Sequence, residues 1–144
     1  MYSEFASDAT TAFTLNPAVR SPTGACIEES NCNAERVTVC AFDGCDDMQC
    51  SVDFLECMDK AQHGGDPVSQ AKNCYKGDFS EVQSCYSGSK GDQLLQAASD
   101  VWNKAYPSRA TVPCVQVNGV KVEEASESAI KQAICKAGST SSAC

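Results

Sequence analysis

The sequence predicts a mixed fold of the α/β (α+β) class, with helices dominating and a sheet of three strands at most. Three observations carry this. Residues 111–119 read T-V-P-C-V-Q-V-N-G, where Val112, Val115 and Val117 favour a pleated strand and Asn118-Gly119 marks a tight type I′ turn into a second strand, Val120-Lys121-Val122. Long amphipathic runs stand on both sides of that hairpin. Most of the 11 cysteines crowd upstream of it, among segments with the period of short helices. The expected organisation is one domain over residues 1–144, with a cysteine-rich helical insertion over 26–88.

Taken in chain order, residues 1–10 read as a loose arm, and Thr11–Leu15 as a short strand stopped by Asn16-Pro17. Ser21–Gly24 is a turn. Asn33 is placed to cap a helix with Ala34, Val37, Cys40 and Ala41 inward, broken at Gly44. Ser51 is placed to cap a second, with Val52, Leu55, Met58 and Ala61 inward, ended by Gly64-Gly65. Asp66-Pro67 starts a third, with proline at its first position, carrying Cys74 and stopping at Gly77. Ser80 opens a fourth that holds Cys85. From Ser89 to Tyr106, Leu94, Ala97, Ala98, Val101, Trp102 and Ala105 recur at helical spacing until Pro107.

Pro113 opens the next strand, where its missing N–H harms the ladder least. Val112-Pro113 is a candidate cis bond, because only X-Pro makes cis cheap. After the hairpin, Ser126 caps a helix whose inner face is Ala129, Ile130, Ala133, Ile134 and Ala137, with Gly138 placed to stop it. The serine-rich tail, Ser139–Cys144, is expected to be ordered if Cys144 is bonded. The order helix, Val-Pro strand, hairpin, strand, helix resembles the second half of a thioredoxin fold.

The net charge is −8, from 19 acids against 11 bases, which argues against nucleic acid and anionic membrane surfaces as partners. No run reaches membrane-span length, and residues 1–15 carry no apolar signal segment. Cysteine usage this high in 144 residues points to an oxidising compartment. The simplest way to reconcile that compartment with the missing signal is a chain that lacks its native beginning.

Spacing limits what the cysteines can be. No two stand as C-x-x-C, and the neighbouring pairs Cys26/Cys32, Cys40/Cys45, Cys45/Cys50 and Cys50/Cys57 are all farther apart. Structural zinc favours close knuckle pairs, and the single histidine, His63, lies in a Q-H-G-G-D turn. No metal and no cofactor are therefore expected. Disulfides across short, individually marginal helices fit better. The bridge candidates are Cys26, Cys32, Cys40, Cys45, Cys50, Cys57, Cys74, Cys85, Cys135 and Cys144, with Cys74–Cys85 and Cys135–Cys144 as proposed pairs among many connectivities. An odd total leaves at least one cysteine outside an intrachain pair.

Over roughly residues 11–144 the chain resembles the gamma-interferon-inducible lysosomal thiol reductase family. T-V-P-C-V-Q-V-N-G is similar to that family's V-P-W-V-x-V-N-G. Cys32 and Cys40 match the end of its C-Q-H-G-x-x-E-C-x-x-N-x-x-x-x-C signature. L-E-C-M around Cys57, Cys74 and Cys85, G-D-x-x-L-L-x-x-A from Gly91, and Cys135 with Cys144 follow in the family's order. The resemblance implies a thioredoxin-like fold, reduction of protein disulfides, a protein or peptide substrate held at Val112 and Pro113, and a secreted or lysosomal/endosomal setting.

The sequence also departs from the family. Ile27-Glu28-Glu29 stands where Gln-His-Gly is expected, Cys114 stands where the family has tryptophan, and the redox-active C-x-x-C is absent. A thioredoxin-type reductase needs a thiolate of lowered pKa and a resolving partner, so the chain by itself is expected to be inactive. Three readings stay open: part of a thiol reductase; a non-catalytic, disulfide-rich secreted protein-binding module; and a diverged enzyme using Cys114 or the Cys45/Cys50 pair. For Cys114 a small buried hydrophobe on a strand is the commoner role, and the acids beside Cys45 and Cys50 oppose thiolate formation. Oligomeric state is open.

Overall fold

A computed structural model describes residues 1–20, 31–61, 65–107 and 112–144. The fold is mixed α+β and mostly helical, with one small antiparallel sheet. It divides into two compact units, residues 14–109 and residues 1–13 with 110–144.

The first unit is helical. α1 lies outside it, at Tyr2–Phe5; its own helices are α2 (Asn33–Asp43), α3 (Met48–Lys60), α4 (Pro67–Cys74), α5 (Phe79–Ser87) and α6 (Ser89–Ala105). Carboxylates start three of them. Asp47 accepts from the Cys50 N–H at 2.8 Å, Asp66 from Ser69 at 2.9 Å and Asp78 from Ser80 at 2.9 Å, each satisfying an amide that the first turn leaves open. Two starts therefore differ from the sequence reading. α3 begins before Ser51, which is buried inside it, and α5 is capped by Asp78 rather than opened by Ser80. At α2 the cap is Cys32, in a left-handed conformation with φ 56°, rather than Asn33.

α2 packs against α6, α4, α5 and α3. Val37, Cys40, Ala41, Phe54, Ala71, Cys74, Val82 and Cys85 form the main core. Phe42, Phe54, Tyr75 and Phe79 run through it as a chain of edge-to-face rings with centroids 6.4 Å apart, the arrangement that aromatic quadrupoles favour. A second cluster joins Val19, Cys32, Val39, Leu95 and Ala98. Residues 14–20 are tied to α6 by its own polar groups: Asn16 Nδ2 donates to the Ala98 carbonyl at 3.0 Å, and Asn103 Nδ2 to the Arg20 carbonyl at 3.0 Å.

The second unit contains β1 (Val115–Val117), β2 (Val120–Val122) and α7 (Glu127–Lys136). The register pairs Val115 with Val122, Gln116 with Lys121 and Val117 with Val120. Asn118 and Gly119 have φ 50° and 78°, as the type I′ turn requires. The ladder begins at Val115, later than Pro113, where the sequence places the start of the strand. Ser126 caps α7 through the Ala129 N–H, and Gly138 follows its end at φ 101°. The inner face buries Ile130 and Ile134 with Phe5, flanked by Phe13, Val115, Val117 and Val122.

Two expectations for the first fifteen residues fail. Thr11–Leu15 is not a strand, because the Thr11 N–H closes a turn on the Asp8 carbonyl at 3.0 Å and the following segment adopts no ladder. Among the described residues the sheet accordingly has two strands. Residues 1–10 are no loose arm either: Phe5 is fully buried. The Asp8 carboxylate accepts from Thr10 N at 3.0 Å, Thr11 Oγ1 at 2.8 Å, Thr140 N at 3.2 Å, Thr140 Oγ1 at 2.9 Å and the Ser139 hydroxyl. The proposed turn at 21–24, Cys26 and His63 lie outside the described residues.

Candidate functional site

The sequence directs attention to Val112, Pro113 and Cys114, and they lead directly into β1. The Val112–Pro113 bond is cis. Val112 is 41% exposed and Pro113 is also exposed, while Val115 and Val117 turn toward α7. The chain therefore offers an accessible apolar dipeptide at the entry to a strand that the Ile130/Ile134 face holds from behind. Lys121, opposite Gln116 in the ladder, reaches Glu123 at 3.4 Å.

Cys114 remains a thiol and is half-buried. Its pKa is raised: burial penalises the thiolate, and the Lys121 ammonium opposes that only in part. A reactive cysteine needs the opposite balance. Cys114 stands just before a strand, where no helix N-terminus adds its field.

The other described cysteines are bonded. Cys40 joins Cys85, Cys45 joins Cys50, Cys57 joins Cys74 and Cys135 joins Cys144, and Cys32 is in a disulfide as well. The tail pair is as read from sequence. The pairing of Cys74 with Cys85 is not: α4 packs between α2 and α3, so Cys74 meets Cys57 of α3, while Cys85 of α5 meets Cys40 of α2. Cys45 and Cys50 hold each other, with a Cα separation of 5.6 Å. Among the described residues no three metal-ligating side chains converge, and no helix is long and apolar enough to cross a membrane.

Among the described residues of the helical unit, two clefts stand out. One, of about 950 Å³, is lined by Asp53, Glu56, Lys60, Gln70, Asn73 and Lys76. Its charges are largely matched internally, Lys76 with Asp53 and Lys60 with Glu56 at 3.7 Å, so it presents no strong field to a charged ligand. The other, about 500 Å³, has Ser80, Ser84 and the Asp43–Lys90 ion pair along its walls.

A half-buried connector escaped the sequence reading. Arg36 donates from Nε to the Tyr86 carbonyl at 2.7 Å and from Nη2 to the Gly88 carbonyl at 3.0 Å, and pairs with Asp92. It thereby ties α2 to the junction of α5 and α6. Gly91 makes room for it: a Cβ there would stand 2.9 Å from Arg36 Nε and 2.7 Å from the Cys85 carbonyl. No family model, no curated protein and no solved structure matches the chain.

Proposed function

We propose that this chain is a thiol-reductase relative of the gamma-interferon-inducible lysosomal type, contributing the substrate-holding half of a thioredoxin-like arrangement. α6, the cis-proline entry to β1, the hairpin and α7 follow in the order of that half. The observation that carries the reading is the exposed, apolar Val112-Pro113 segment leading into β1. Such a segment can accept an extended, disulfide-containing protein or peptide alongside its backbone. The setting is secreted or lysosomal/endosomal, in line with the oxidising conditions that bonded cysteines require; nucleic acid and membrane are not partners.

The reducing step needs a dithiol that the 144 residues do not contain as C-x-x-C. One thiolate attacks a substrate sulfur and the other resolves the mixed disulfide. Two electrons pass to the substrate, which leaves as two thiols while the dithiol becomes a disulfide. Cys114 cannot supply both roles. The experiment is a thiol-dependent insulin-reduction assay of the chain, of Cys114→Ser, and of the chain supplemented with a polypeptide bearing a β-strand and C-x-x-C. No turnover in the first two and recovery in the third are expected. Turnover by the chain alone, lost in Cys114→Ser, would sink the assignment.

A second reading is a non-catalytic protein-binding module. The raised pKa of Cys114 favours it, because the only described cysteine that titrates is poorly suited to chemistry. It predicts binding of an extended peptide, lost in a Val112→Asp variant, without turnover even after the dithiol polypeptide is added.

A further inference from the structure

The disulfides differ in what guards them. Cys40–Cys85 and Cys57–Cys74 each join two helices and each includes a cysteine no more than 8% exposed. Cys45–Cys50 and Cys135–Cys144 are local, with sequence separations of 5 and 9 and no buried member. The shorter the enclosed loop, the less the bond restrains the unfolded chain, so Cys45–Cys50 contributes the least of the four. The two local pairs also sit at opposite helix ends. Cys50 is the third residue of α3, in the first turn, where the macrodipole favours a thiolate. Cys135 is in the last turn of α7, where the same field disfavours one.

From these contrasts we propose that Cys45–Cys50 is a redox-sensitive clasp, the bond that an external thiol opens first, releasing the loop between α2 and α3 from the first turn of α3 while the helices stay folded. The charged neighbours are accounted for. Asp43 is paired with Lys90, Asp53 with Lys76, and Asp47 is engaged by the Cys50 N–H. Asp46, exposed inside the loop, opposes the thiolate. The reductant is a small thiol. Its thiolate attacks Cys45 Sγ, the Cys45–Cys50 bond breaks, and Cys50 departs as the thiolate, because its place in the first turn of α3 makes it the better stabilised leaving group. A second thiolate attacks the external sulfur of the mixed disulfide, forming the oxidised dimer of the small thiol and leaving Cys45 reduced. Two electrons have moved from two small thiols to the pair.

Opening leaves α2 held by Cys40–Cys85 and α3 by Cys57–Cys74. Residues 44–47 lose their covalent closure and keep the Tyr75 hydroxyl, which donates to the Gly44 carbonyl at 2.5 Å.

The test treats the intact chain with reduced glutathione, quenches with acid and N-ethylmaleimide, and maps labelled and glutathionylated peptides over time. Cys45 and Cys50 should label several-fold faster than Cys135 and Cys144, since exchange is faster when the leaving thiolate is the better stabilised one. The transient adduct should sit on Cys45, with circular dichroism unchanged. Equal or earlier opening of Cys135–Cys144, an adduct mainly on Cys50, or loss of helical signal with the first label would each overturn the proposal.

Discussion

Among the described residues, Phe54 and Phe5 are the two largest side chains sealed from solvent, and the cores around them are closed by different means. Around Phe54, in the helical unit, short helices supply the walls and covalent bonds cross between them, Cys40–Cys85 over 45 residues and Cys57–Cys74 over 17. Around Phe5, in the hairpin unit, segments from the two ends of the sequence meet without any covalent link among the described residues. Phe5 packs on Ile130 and Ile134, Lys131 reaches Glu4 at 3.1 Å, and Asp8 gathers the hydroxyls and amide of Ser139 and Thr140. Cys135–Cys144 only folds the tail back on its own helix. Short helices that pack on several neighbours gain from long-range crosslinks. The hairpin unit depends on one aromatic anchor and one carboxylate.

That contrast makes the disulfides unequal. Replacing Cys40 and Cys85 together by Ala should cost about 4 kcal/mol by the loop-closure relation, against about 2.5 kcal/mol for Cys135 and Cys144. Urea denaturation checks the ranking, and equal losses would break the comparison. Phe5→Ala removes the anchor of the other core, with an expected cost of about 3 kcal/mol. It should also expose residues 1–13 to limited proteolysis while the helical unit resists. Unchanged protease sensitivity would mean that Asp8 suffices without Phe5.

The hairpin was legible in the sequence because Asn118-Gly119 can take the two positive φ values that few other pairs accept. α4 and α7 were legible from Asp66-Pro67 and from Ser126, where capping chemistry is local. The phase of α3 was misread because Ser51 looked like a cap. The cap is Asp47, and beginning the helix at Met48 brings Phe54 into the core. The Cys57–Cys74 and Cys40–Cys85 pairings depend on which helix α4 packs against, and local pattern carries no such information. Asp8 was missed for the same reason: its donors come from residues 10–11 and 139–140. At the candidate site, Val112, Pro113 and Cys114 were all singled out from sequence. The protonation preference of Cys114 was not, because it depends on burial and on Lys121 across the ladder.

The Asp8 arrangement has a pH signature. Its carboxyl is held far below the usual carboxylate range, first by the Ser139 hydroxyl and then by the Thr10 and Thr11 donors, with desolvation opposing. A depressed folded-state pKa gives stability that is present above the unfolded value, about 3.9, and is lost as the pH falls toward the folded one. The melting temperature should therefore decline below about pH 4, and Asp8→Asn should flatten that decline while lowering the neutral-pH value. A variant with the wild-type acid profile would show that the carboxylate does not hold the two ends together.

The smallest effect expected concerns the one described cysteine that titrates. Burial raises the Cys114 pKa and the Lys121 charge partly offsets it. Removing that charge in Lys121→Gln should raise the pKa further, so at pH 8 the thiolate fraction falls and alkylation slows. The change should stay within about tenfold, because an exposed ammonium acts through solvent and is screened by salt. The rate of iodoacetamide labelling against pH gives both the midpoint and the plateau. A lower midpoint in Lys121→Gln would contradict the assigned sign. An unchanged midpoint with a faster plateau would instead mean that Lys121 acts by covering the thiol. The helical unit offers a control: with its described cysteines bonded, labelling there should be independent of Lys121 throughout the titration.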